Sequence, residues 1–136
     1  MSNIWSLIGI ALLFLGKPDK AILAFKRQIE VTPNHKWAWY GIGEAFILLE
    51  QPGKAMEVYQ KQVVITPNHK YAWGGIGDAF ILLGKPGKAM EAYKKQIEIT
   101  PNHKRALSGL KGLNDALSNW DRVNKKNKKK ICFFLF

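Results

Sequence analysis

A period of 34 residues constrains this chain more than any other feature. Aligned position by position, Lys36–His69 and Lys70–His103 share 25 of 34 residues. The pentapeptide TPNHK recurs at Thr32–Lys36, Thr66–Lys70 and Thr100–Lys104. A period of this length marks one supersecondary unit that cannot bury its apolar face alone and stacks on copies of itself. Ser2–His35 fits the same frame, so three repeats (2–35, 36–69 and 70–103) are followed by the start of a fourth at Lys104.

Within a repeat the apolar spacing predicts two helices. Trp39, Ile42, Gly43 and Phe46 fall at i, i+3, i+4 and i+7, and Ala55, Tyr59 and Gln62 at i, i+4 and i+7. Between them, Gly84 suits the left-handed residue that ends a helix. Pro18, Pro52 and Pro86 suit a first helical turn, where a missing N–H costs nothing. Pro33, Pro67 and Pro101 stop the second helix, because the residue before a proline resists the α conformation. Asn34, Asn68 and Asn102 are then the expected caps of the next helix. Leu107, Leu110, Leu113, Leu117 and Trp120 continue an apolar stripe, which predicts a capping helix over 104–123 with a wet outer side.

The 34-residue unit resembles the tetratricopeptide repeat (TPR). The shared pattern is Trp–x2–apolar–Gly–x2–aromatic, then Ala–x3–aromatic, then Pro, as in Trp39, Ile42, Gly43, Phe46, Ala55, Tyr59 and Pro67. The resemblance implies an all-α, right-handed superhelical solenoid of antiparallel helix pairs that acts as a protein-binding scaffold. The departure is Gln28, Gln62 and Gln96, where the family usually has Ala. A larger polar residue there predicts looser packing or an exposed amide.

Charge is unevenly placed. Residues 1–103 carry 12 basic and 8 acidic side chains, and residues 104–136 carry 9 and 2. The repeats are therefore poor candidates for bulk nucleic-acid binding, and the excess lies in a tail, 124–136, expected to be disordered by Lys–Lys repulsion. A second reading of function rests on that tail: Lys125–Lys130 as an electrostatic tether to nucleic acid or an anionic membrane. The single cysteine, Cys132, excludes an internal disulfide and fits a reducing, cytoplasmic setting. The apolar run Ile4–Leu15 is too short to span a bilayer. It reads as a buried helix, lacking the basic flank and cleavage site of a signal peptide. Because Leu7, Ile10, Leu13 and Phe14 make it apolar nearly all round, it is expected to pack on something else, to mediate self-association, or to belong to a longer array.

The resemblance places the binding surface on the concave face, lined by the first helix of each repeat. The candidate groove residues are Trp37, Tyr40, Gly41 and Glu44, then Tyr71, Gly74, Gly75 and Asp78, then Arg105. Asn3, Leu7, Ile10 and Phe14 line its N-terminal end, Ile47, Leu48, Ile81 and Leu82 its flank, and Ser108 its C-terminal end. The aromatics are residue types that carry interface energy. Missing side chains at Gly41, Gly74 and Gly75 would let a partner's backbone approach, and Glu44 and Asp78 would favour a basic or amide-rich ligand. Some family members grip acidic chaperone tails with a clamp of Lys, Asn and Arg. Here those positions hold Ser6, Ile10, Gly41, Tyr71 and Gly75, and only Arg105 matches after a shift of one repeat, so the clamp is not expected. His35, His69 and His103 sit one per repeat, too far apart for a shared metal ion, and read as solvated turn residues. Glu44 and Asp78 as a carboxyl pair lack a closed pocket, a nucleophile and a phosphate loop, so neither catalysis nor a cofactor is expected.

Overall fold

The computed structural model describes the backbone of residues 3–135 and the side chains of residues 3–123. The described chain is a row of helices: α1 (Ile4–Phe14), α2 (Pro18–Val31), α3 (Ala38–Leu48), α4 (Pro52–Ile65), α5 (Ala72–Leu82), α6 (Pro86–Ile99) and α7 (Lys104–Leu135). Each helix packs on its neighbours in sequence, and α1, α3, α5 and α7 form a continuous inner layer. The architecture is a solenoid of antiparallel pairs, and no described residue is in a strand.

The short turn inside each pair is built twice by glycine and once against the grain. Gly16 and Gly84 adopt φ of 71° and 72°, and Glu50, their counterpart in the second repeat, is forced to 57°. In the third repeat, the Gly84 N–H donates to the Ile81 carbonyl and the Lys85 N–H to the Phe80 carbonyl, the two bonds of a Schellman stop. The following proline is the first residue of α2, α4 and α6.

The turn between pairs differs from the expectation. Asn34, Asn68 and Asn102 are exposed and cap nothing; α3 and α5 begin four residues later, at Ala38 and Ala72. Histidine supplies the acceptor instead. His69 Nδ1 accepts the N–H of Tyr71 at 3.2 Å and of Ala72 at 3.1 Å, and His103 Nδ1 accepts that of Ala106 at 3.2 Å. His69 and His103 are accordingly buried, not solvated. The reason is geometric: the turn carries the chain past Asn before the helix axis is set, and the imidazole reaches the orphan N–H groups.

The glutamines also reverse their expectation. Gln28, Gln62 and Gln96 are 0% exposed. Their Oε1 atoms accept the N–H of Ser6 at 3.1 Å, Tyr40 at 3.1 Å and Gly74 at 2.9 Å, the third residue of α1, α3 and α5. Each second helix thus caps the first helix of its own repeat from 22 residues away, satisfying a buried donor that alanine would leave orphaned.

The core is a ladder of rings and glycines. Phe25, Tyr59 and Tyr93 point inward from α2, α4 and α6, each between two first helices. A Cβ at Gly9 would lie 2.7 Å from the Phe25 ring, and Gly41 faces the same ring from the other side. Tyr59 lies between Gly43 and Gly75, and Tyr93 between Gly77 and Gly109. Each ring is sixteen residues from the glycine before it and sixteen from the glycine after it. Gly41 and Gly75, for which no packing reason is evident in the sequence, therefore have one. The glycine pattern breaks on either side of these three rings: Leu7 stands where Gly41 and Gly75 stand one and two repeats on, and Lys111 where Gly77 stands one repeat back. The outer face is tiled by cations over the signature tryptophans, with Lys61 4.7 Å from the Trp39 ring centre and Lys95 4.4 Å from that of Trp73.

Two terminal expectations change. α7 does not stop at Val123 but continues to Leu135. No glycine or proline follows Gly112, and lysine is a good helix former, so nothing in the sequence ends the helix where the apolar stripe ends. The expected disordered tail is helical over its described backbone. The Lys125–Lys130 side chains, on which any tether would rest, lie outside the described residues. The outer side of α7 is not uniformly wet either, since Leu117, Trp120 and Val123 are exposed there. At the other end, Ile4, Leu7, Ile10 and Phe14 of α1 are exposed, Phe14 to 89%. Among the described residues no helix is long and apolar enough to cross a membrane.

Candidate peptide-binding groove

Helices α1, α3, α5 and α7 present their inner faces side by side, and three of the expected groove residues meet there. The Trp37 and Tyr71 rings are 5.5 Å apart between centres, Tyr40 and Tyr71 6.1 Å, and Trp37 and Tyr40 6.2 Å. His69 sits inside this group, 4.7 Å from Trp37 and 5.2 Å from Tyr40. These spacings fall in the range where edge-to-face and tilted aromatic pairs attract. Trp37 and Tyr71 remain about two-fifths exposed, so the cluster is both packed and accessible.

A cavity of 280 Å³ opens beside it, at the junction of α1 and α3. Ile10, Leu13 and Phe25 form one wall; Trp37, Tyr40, Gly41 and Tyr71 form the other, with Glu44 at the edge. A second hollow of 340 Å³ continues from it along Phe14, Ile47 and Leu48 and shares Ile10, Leu13, Tyr40 and Glu44. The surface is apolar because α1 contributes no charged residue.

The acidic residues do something other than wait for a basic ligand. Arg105, from α7, reaches back over 61 residues and donates from Nη1 to Glu44 Oε1 at 2.8 Å, while its Nε donates to Asp78 Oδ2. The Tyr59 hydroxyl donates to Glu44 at 2.6 Å, and the Tyr93 hydroxyl donates to Asp78. Arg105 Nη1 also lies 3.4 Å from the Tyr40 hydroxyl. Burial opposes the charged guanidinium, but the Glu44 and Asp78 carboxylates outweigh it and hold the Arg105 pKa well above its usual value. Burial, then the neighbouring carboxylate, pushes the Tyr59 and Tyr93 hydroxyls far above the ordinary phenol range, so both remain donors. Glu44, Asp78 and Arg105 thus form an internal ion cluster, with both acids already partnered by this chain.

The glycines also serve the chain itself. The space at Gly41 is taken by the Phe25 ring, that at Gly75 by Tyr59, and a Cβ at Gly74 would lie 3.1 Å from His103 Cε1. All three are buried. The room their missing side chains create is filled from within, which corrects the expectation that it admits a partner's backbone.

Histidine is the residue whose role the sequence hid most. With Nδ1 accepting, His69 is the neutral tautomer that donates from Nε2 to the Lys36 carbonyl at 2.7 Å. Burial lowers its pKa against the opposing pull of that carbonyl. Burial and then the Arg105 charge lower that of His103, with Asp78 opposing, and burial lowers that of His35. Among the described residues no group of three ligating side chains could hold a metal ion. Phe25 shapes the cavity wall and Tyr59 binds the ion cluster; the repeat pattern marks their positions as aromatic but not these roles.

Comparison with solved structures places this geometry. The first TPR domain of Spaghetti (RPAP3), bound to the HSP90 peptide SRMEEVD, superposes with a TM-score of 0.78 at 22% identity, over 85% of this chain and 91% of that one. The Sgt2 TPR domain from Aspergillus fumigatus gives 0.81 at 23% identity, over 88% and 81%. MamA gives 0.72 at 25% identity, over 93% and 78%. No curated relative matches the sequence significantly. Family models described as tetratricopeptide repeat match residues 7–69 and 71–103, which together make up more than half of the chain. With the helix pairs, the period and the ring–glycine core in agreement with those matches, the chain belongs to the tetratricopeptide repeat family.

Proposed function

We propose that the chain is a non-catalytic scaffold that binds a segment of another protein along its concave face. The observation that carries this reading is the accessible aromatic cluster of Trp37, Tyr40 and Tyr71 beside an open apolar cavity. Aromatic side chains at the edge of a desolvated pocket are the usual carriers of binding energy. The peptide-bound state of the RPAP3 domain supports a peptide as the class of ligand. The two carboxylates of this face are tied to Arg105.

The test is a peptide array probed with the full chain and with a Trp37→Ala/Tyr40→Ala/Tyr71→Ala variant. Peptides retained by the parent should lose at least tenfold in affinity on the variant, whose helical circular dichroism should persist. Retention of every peptide by a folded variant would move the binding surface off the concave face.

A further inference from the structure

The ion cluster and the open cavity are the same site, one repeat apart. Adding 34 to the cavity residues Phe25, Tyr40, Gly41, Glu44 and Tyr71 gives Tyr59, Gly74, Gly75, Asp78 and Arg105. At the α3–α5 junction the space is thus occupied by the chain's own guanidinium, held by Glu44 and Asp78. At the α1–α3 junction the corresponding residue is Tyr71, which forms a wall and leaves the space open. Ile10 stands there in place of Glu44, and Phe25 in place of Tyr59. Of the two acids that hold the guanidinium, Asp78 keeps an acidic counterpart here in Glu44, whereas Glu44 is replaced by Ile10, and the Tyr59 hydroxyl that bonds Glu44 is missing from Phe25.

Extending the groove reading above, on which this rests, we propose that the cavity receives one large apolar side chain of a peptide partner, with a basic residue beside it. Its 280 Å³, apolar and open to the groove, has room for one large side chain. The charge of the flanking residue follows from the cluster next door. Glu44 borders the cavity, and Glu44, Asp78 and Arg105 sum to −1. Arg105 already commits its Nε to Asp78 and its Nη1 to Glu44. An acidic neighbour would meet net negative charge, whereas a basic neighbour would complement it. A partner of this kind differs from an acidic tail such as SRMEEVD.

The experiment is an amide-shift titration of the isotope-labelled full chain by NMR with four peptides. Three are capped Gly/Ser octamers, uncharged but for a central Phe–Lys, Ala–Lys or Phe–Glu pair; the fourth is SRMEEVD. The Phe–Lys peptide should shift the amides of Ile10, Tyr40 and Gly41. Replacing its phenylalanine by alanine should weaken binding at least tenfold, and replacing its lysine by glutamate at least threefold. Ile10→Glu, at a position 41% exposed and tolerant of a polar side chain, should abolish the phenylalanine dependence. Equal binding of the Phe and Ala peptides, or preference for the Phe–Glu peptide, overturns the proposal. If SRMEEVD shifts the groove amides and Phe–Lys does not, the proposal falls while the groove reading stands. If no peptide reaches those amides, both fall.

Discussion

Two neighbouring junctions of the inner layer, α1–α3 and α3–α5, are built from one plan and filled by opposite chemistry. Between α3 and α5 the occupant is Arg105, tied to Glu44 and Asp78, with the Tyr59 and Tyr93 hydroxyls completing the acids' hydrogen bonds. Between α1 and α3 the equivalent space is open and apolar, walled by Ile10, Phe25 and Tyr71. The ring–glycine packing beneath the two is the same. A few side chains on a repeated frame therefore decide whether a site is closed by the chain or left for a partner.

The largest effect should come from emptying the closed junction. Arg105→Ala leaves Glu44 and Asp78 facing each other with about a quarter to a third of their surfaces exposed. It should cost about 3 kcal/mol in denaturant unfolding at pH 7, the lower end for a buried pair broken on one side.

Converting one ring into the other comes next. Tyr59→Phe makes the second ring match the first and removes the Glu44 hydrogen bond, for about 1.5 kcal/mol. Phe25→Tyr should destabilise by a similar amount, about 1–2 kcal/mol, because Ile10 rather than an acid stands opposite and the new hydroxyl is buried unpaired. If Phe25→Tyr were neutral, the distinction between the junctions would lose its basis.

A smaller effect should appear with pH. The folded-state pKa values of His35, His69 and His103 are lowered, so below the unfolded value of 6.5 the unfolded chain holds more protons than the native one. Stability from these turns should be complete above pH 6.5 and lost as pH falls from there through the depressed folded values. The physical event is a proton on Nδ1, which cannot then accept the helix N–H. Urea midpoints at pH 7.5, 6.5 and 5.5 should fall in that order, and His69→Asn should flatten the trend most, since His69 accepts two such bonds.

The smallest expected change is a gain. Glu50 holds φ of 57°, where its counterparts are glycine. Glu50→Gly should raise stability by about 0.5–1 kcal/mol, the relief of left-handed strain less the added freedom of the unfolded chain.

The period, the helix pairs and the proline and glycine punctuation were legible because each depends on residues close in sequence. The aromatic members of the groove were legible for the same reason: Trp37 and Tyr71 hold equivalent places in adjacent repeats, and Tyr40 follows Trp37 by three residues, about one helical turn. What escaped depends on distance along the chain. Arg105 reaches 61 residues to Glu44, and nothing in a local window couples them. The glutamine caps cross 22 residues, and a buried amide looks like a packing fault until the helix N–H that donates to it is seen. Asn and His compete for the same cap three to four residues ahead, and only the path of the turn decides between them. Gly41, Gly74 and Gly75 looked like gaps because the rings that fill two of them lie a helix away.

Because every inner step of the ladder presents a ring to two glycines at the same offset, the joints are interchangeable. A duplicate of residues 36–69 spliced in at His69 would find a matching key on either side and lengthen the rod by one unit. Leu7 and Lys111 occupy the places of the missing keyholes, so the same cassette offered to the outer flank of α1 or α7 should be refused. Length in this molecule is a property that can be edited from the middle and not from the ends.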